Sequence, residues 1–215
     1  MLSGFDLSWI ITYVILLLFA FPVHEFAHAA VATYFGDETP RMAGRLTLNP
    51  LAHLDLMGSL MLLIARFGWA KPVPVNPYTL RRRSPSALMW VSLAGPMSNF
   101  LLAVLASILV RLLAALGGGG LTASLLYIEN ILFIFIQINL VLMLFNLIPI
   151  APLDGEKILS YFLPPAWADA LDRIQPYGPI ILLAVLFLIP SLLHIDLIGM
   201  LIRPPLQALF SLLVG

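Results

Sequence analysis

His24-Glu25-Phe26-Ala27-His28 lies inside the apolar run 8–35. On a helix, positions i and i+4 stack about one turn apart on the same face. His24 and His28 can therefore turn both imidazoles toward one metal ion, while Glu25 projects about 100° away. That sets a carboxylate beside the metal without making it a ligand, the placement a general base requires. Ionisable side chains within a membrane helix each cost about 2.5–3.5 kcal/mol on insertion scales, unless they pair or bind an ion. A polar cluster between packed helices is the bland alternative. A catalytic zinc also needs a third protein ligand and an open fourth position. Another donor must then come from elsewhere in the chain.

The composition makes the setting a membrane. Of 215 residues, 61% are hydrophobic and only 10% charged, and mean hydropathy is +1.01. Soluble domains are about 25% charged. The length suits one membrane-embedded domain, 1–215, with a core at about 8–157 and further membrane segments at about 176–214. The formal net charge of zero gives no footprint for nucleic acid. With no Cys, disulfides and thiolate metal sites are excluded, leaving His, Asp and Glu as ligands. The N-terminus lacks the basic start of a signal peptide, so the first apolar run is expected to be retained.

The fold class predicted is an all-α polytopic membrane protein. The first helix runs from Ser8 as N-cap to Gly36 as C-cap, with a kink at Pro22. Residues 37–56 are not predicted helical, because Pro40, Gly44 and Pro50 punctuate them, and Arg45-Leu46-Thr47-Leu48 alternates like a strand. The apolar run 57–70 is short for a span, at about 21 Å as a helix against a ~30 Å core. It is expected to dip in and return. Lys71-Pro72-Val73-Pro74-Val75-Asn76-Pro77 must be extended. These pieces predict a small re-entrant β or extended segment beside the first helix. Spans follow at 87–116 and 121–148. The second ends in a proline-broken turn that presents Asp154. Residues 156–175 read as an interfacial or loop segment. Further apolar runs lie at 177–193 and 195–214, where Pro190 and Pro204-Pro205 argue against a clean final span.

Charge sets the orientation. Segment 36–86 holds Arg41, Arg45, Arg66, Lys71, Arg81, Arg82 and Arg83, and the glycine turn 117–120 holds no Lys or Arg. The positive-inside bias places 36–86 in the cytoplasm. His28 and Asp154 then fall at the same, cytoplasmic end of the bundle. Two residues compete to be the third ligand. Asp154 would complete a two-His, one-carboxylate set, and His53 lies in the irregular segment that can fold toward the histidines. Asn146, eight residues before Asp154, can donate to an oxyanion or to a neighbouring helix. Asn99, after Gly95-Pro96 where helices can approach closely, reads as structural.

With HEFAH on one helix and NLIPIAPLDG ending another, the chain resembles the site-2 proteases, intramembrane zinc metalloproteases. The GRLTLNPLAHLD stretch, KPVPVNP and AGPMSN also match that family's pattern, in order, over most of 20–157. The resemblance implies a three-helix catalytic core, with zinc bound by His24, His28 and Asp154 and with Glu25 catalytic. It implies regulated cleavage of a peptide bond within or near the transmembrane segment of a single-span substrate. It also implies a multi-pass protein of the cell's inner membrane, in contact with the lipid bilayer. The chain departs from some relatives in lacking an extra leading span and any insertion long enough for a PDZ or CBS domain. The alternative is a divalent-cation transporter using intramembrane His, Glu and Asp. A transporter needs polar groups through the membrane's full thickness, and here they gather at one end. Oligomeric state leaves no mark in the sequence.

Overall fold

A computed structural model describes residues 11, 13–65, 68–116 and 123–215. The expected cap at Ser8 lies outside them. Helices and their connections make up the described chain, with no sheet among the described residues. Helix α1 is Tyr13–Tyr34. Short helices follow at α2 (Thr39–Met42), α3 (Pro50–His53), α4 (Leu56–Ala65) and α5 (Pro77–Arg83). Long helices α6 (Ala87–Leu116) and α7 (Ala123–Asn146) come next, then α8 (Asp154–Phe162). The helical run α9 (Pro165–Leu193) and helix α10 (Leu197–Val214) complete the chain. Of these, α1, α6, α7, α9 and α10 contain stretches long and apolar enough to cross a membrane. The protein is an all-α polytopic membrane protein.

α6 is the central element, packed on α1 and on α7, and α10 closes against α7 and α6. Ala103, Ala106 and Val110 of α6 meet Ile136, Leu140 and Met143 of α7, with Leu206, Leu209 and Phe210 of α10 over them. Small residues on α6 allow that approach. The opposite face of α6, including Leu101, Leu105 and Leu112, is exposed, as a lipid-facing surface must be. Arg111 donates to the last carbonyls of α10, at Leu212 and Leu213, satisfying groups the helix itself leaves open. Helix α10 runs through Pro204 and Pro205, against the expectation from those prolines. Its packing on α6 and α7 holds the helix where two backbone donors are missing.

α1 stays helical through Pro22. A five-residue π turn, Leu16–Ala20, precedes it, with Phe21 N–H bonded to Leu16 O. The wider turn accommodates a residue that lacks an N–H and crowds the preceding carbonyls. α1 ends at Tyr34, and Gly36, at φ 86°, turns the chain.

Residues 45–48 form no strand, contrary to the alternation. No neighbouring strand pairs with them, and side chains take their place: His53 Nε2 bonds Thr47 O (2.7 Å), and Arg45 bonds Ala52 O (2.6 Å) and Lys71 O (3.2 Å). The loop instead holds two single-turn helices. Segment 56–69 leaves and returns at one place. Leu54 pairs with Ala70 in an isolated antiparallel bridge, and Lys71 N–H donates to His53 O (2.8 Å). Residues 71–76 then run extended, pinned by Asn76 N–H to the buried Asp37 carboxylate (2.6 Å). Residues 156–175 are helical apart from a break at 163–164, in α8 and the start of α9, so the segment is not a loop.

Candidate active site

One stripe of α6 organises the site. Val91, Gly95 and Asn99 are spaced four apart and face α1. His28 Nδ1 lies 2.7 Å from Val91 O, and His24 Nδ1 lies 2.6 Å from Asn99 Oδ1. Between these two contacts sits Gly95. A methyl group there would overlap both imidazole rings, approaching within 2.6 Å of His24 Cε1. Glycine is therefore what lets α6 lie flat against the histidine pair. From sequence Gly95 reads only as a packing residue. Its partners on α1 are what identify its role.

Asp154 arrives from the turn after α7. Leu153 is the N-cap of α8, which makes Asp154 its first residue, where the helix dipole favours a negative charge. Gly155 packs against the turn's own backbone at Leu147 and Ile148, which leaves no room for a side chain. Burial opposes ionisation of the Asp154 carboxyl, but positive charge and hydrogen bonds at the facing His28 and His24 rings outweigh it and hold the carboxyl well below its usual range.

The three groups converge. His24 Nε2 and His28 Nε2 are 3.0 Å apart, and Asp154 Oδ2 is 3.4 Å from the first and 3.3 Å from the second. Metal–ligand bonds of about 2.0–2.2 Å in a tetrahedron separate ligand atoms by about 3.3–3.6 Å. The two Asp154 separations fall in that range, the His24–His28 separation is slightly shorter, and the donor chemistry fits. A backbone carbonyl only accepts, so the His28 Nδ1 beside Val91 O carries a hydrogen, and the ring in its neutral form offers its lone pair at Nε2. Lone pairs and a carboxylate oxygen facing one another need a cation between them. Among the described residues, His24, His28 and Asp154 form the one group of this kind able to hold a metal ion.

Glu25 is buried and turned off the ligand face, and its Oε2 accepts the Val73 N–H (3.0 Å). Glu25, His24, His28 and Asp154 line a cavity of about 730 Å³, whose other walls include Met61, Val73, Leu142 and Phe187. Asn146 lines it too, and one of its amide hydrogens goes to Leu142 O in its own helix (2.9 Å). His53 is fully buried elsewhere, bonded to Thr47 O, and is not part of the group. Sequence reasoning missed the Val91 carbonyl and the Val73 N–H, which as backbone groups leave no trace in residue identity. It also missed Asn139, whose amide bonds Asn99 (3.0 Å). An amide in mid-span was the available signal there.

Two histidines and a carboxylate meeting inside a bundle of membrane helices, with a glutamate at their side, define a membrane metalloprotease. The chain belongs to Peptidase family M50, whose model matches residues 12–189. It is 43% identical over 186 residues to "Putative zinc metalloprotease YwhC" of Bacillus subtilis, a match covering 86% of this chain and 84% of that protein. It is 36% identical over 177 residues to "Putative zinc metalloprotease Rip2" of Mycolicibacterium smegmatis, and 37% over 178 residues to the protein of that name from Mycobacterium tuberculosis. Each of these two matches covers 79% of this chain and 64% of the relative. No solved structure matches the chain significantly.

Proposed function

We propose that the protein is a zinc endopeptidase that cleaves a peptide bond within or beside the transmembrane segment of a single-span membrane protein, as in regulated intramembrane proteolysis. The observation that carries this is the triangle of His24 Nε2, His28 Nε2 and Asp154 Oδ2 at 3.0–3.4 Å, opening on an apolar cavity beside Glu25. His24, His28 and Asp154 would hold the zinc, which when bound supplies Lewis acidity toward water and the scissile carbonyl. Glu25 takes a proton from water and returns it to the leaving amine. Asn146 spends one amide hydrogen on Leu142 O and donates the other to the developing oxyanion.

Substrate carbonyls inside a helix are already hydrogen-bonded, so the substrate must unwind. The extended 71–76 segment offers an edge for the unwound strand. Pro72 and Pro74 have no N–H, while Val73 and Val75 both line the cavity. A strand pairing there competes with Glu25 for the Val73 N–H, which couples substrate arrival to release of the base. The bridge between Leu54 and Ala70 supports a hairpin that keeps Arg41, Arg45 and Arg81–Arg83 on one side. By the positive-inside bias that side is the cytoplasm, and the membrane is the cell's inner membrane. Thr39→Cys and Ser84→Cys should both react with an impermeant maleimide from that side only. Labelling from opposite sides would refute the hairpin.

The deciding experiment is metal analysis together with cleavage of a model membrane substrate by purified wild type and Glu25→Gln. The variant should keep its metal and lose cleavage by about 10²–10⁴-fold. Substantial hydrolysis by a homogeneous variant would reject the reading.

A further inference from the structure

Asn99 and Asn139 are fully buried amides in the apolar interior, and the proposed mechanism uses neither. Such groups are costly unless their hydrogen bonds are made. Here the bonds form a chain with one possible direction. Asn139 Nδ2 donates to Phe135 O (2.9 Å), a carbonyl that only accepts. That turns Asn139 Oδ1 toward α6, where Asn99 Nδ2 donates to it (3.0 Å). Asn99 Oδ1 therefore faces His24 Nδ1 at 2.6 Å. An oxygen there requires the hydrogen on Nδ1, which leaves the Nε2 lone pair pointing at His28 and Asp154. The orientation is set by the network, from Phe135 O onward, and not by a choice of amide flip.

We propose that Asn139 is a positioning residue for the metal site: with Asn99 it forms a directional amide relay that fixes the tautomer and ring orientation of His24. The two histidines are held differently. His28 rests on a backbone carbonyl that no side-chain substitution removes, whereas His24 depends on two side chains from two other helices. A carboxylate at 99 would also accept from His24, but it would add a charge to the apolar interior and have nothing to donate to Asn139. The amide pair gives direction without charge. This inference rests on His24 being a ligand, as proposed above.

The test uses the purified full chain, with the zinc dissociation constant from chelator competition and the visible spectrum of the Co²⁺ form. Asn139→Leu should weaken zinc binding about 10–100-fold, as loss of an outer-sphere partner does, and should alter the cobalt spectrum. Asn139→Asp should restore binding, since a neutral carboxyl can donate to Phe135 O and accept from Asn99. On an Asn99→Leu background, Asn139→Leu should add no further loss, because Asn139 acts only through Asn99. Should Asn139→Leu fail to fold, Asn139→Ala carries the same comparison. A residue that merely holds α6 against α7 would lower thermal stability while leaving the zinc constant within about twofold and the cobalt spectrum unchanged. That result, or an undiminished effect of Asn139→Leu without Asn99, would overturn the relay. His24→Ala serves as the control. If it binds zinc like wild type, the ligand set is wrong. If it loses zinc while Asn139→Leu does not, the relay alone is wrong.

Discussion

Two places in this molecule break an α-helix in the same way. Before Pro22 the chain makes a five-residue π turn, Leu16–Ala20, and before Pro190 it makes another, Ala184–Leu188. In each, the residue after the turn bonds back five positions, Phe21 to Leu16 O and Ile189 to Ala184 O. The surroundings differ. Pro22 is fully buried, and His24 and His28 come after it against the Val91–Gly95–Asn99 stripe of α6. After Pro190 come Leu192 and Leu193, both exposed. The same local chemistry thus leads into the buried histidine pair in one helix and into exposed leucines in the other. What distinguishes them is the helix packed across from each.

The sharpest way to test that contrast is to disturb the packing without touching a ligand. Gly95→Val should drop bound zinc to background after dialysis, as His24→Ala, His28→Ala and Asp154→Ala should, because any Cβ there overlaps both rings. His53→Ala should retain its metal. Full occupancy in Gly95→Val would mean that α6 does not set the histidines.

Next in size are the two proline substitutions in the extended segment. Val73→Pro removes the N–H that Glu25 and an arriving substrate strand share, and should nearly abolish cleavage with metal content unchanged. Val75→Pro removes a donor that only an added substrate strand would use, so its cleavage should fall less and through KM. Normal kinetics in both would place the substrate elsewhere.

Replacing the native prolines compares the two π turns directly. Pro22→Ala allows the turn to relax toward α geometry, which shifts the seating of the histidine-bearing turns of α1 against α6. Zinc affinity should fall several-fold in this variant. Pro190→Ala should leave zinc binding unchanged and shift Tm slightly. Equal effects on zinc would erase the distinction.

The smallest effect is expected at Glu156, on α8 beside the site. Burial pushes its carboxyl up, against Lys157 and with help from Asp172. Its folded pKa lies above the unfolded one, so its contribution is fully present below the unfolded pKa and is lost as pH rises through the folded value. Glu156→Gln should therefore raise Tm at pH 7 and leave it unchanged well below the unfolded pKa. A lower Tm at pH 7 would contradict this.

The sequence by itself determined the long helices, because runs such as 87–116 are too apolar for water and long enough for a bilayer. It also determined the histidine pair, since i, i+4 spacing puts two side chains on one face by backbone geometry alone. Alternation misled at 45–48, because a strand needs a partner and none lies beside these residues. Only the tertiary structure decided that Asp154, not His53, meets the pair, that Gly95 makes room for it, and that Val91, Asn99 and Val73 orient the groups around it. Those contacts join residues far apart in the chain, and several are made by backbone atoms that every residue type shares. A hydrogen bond to a carbonyl 63 positions away leaves no mark in residue order. It exists once α1 and α6 have packed.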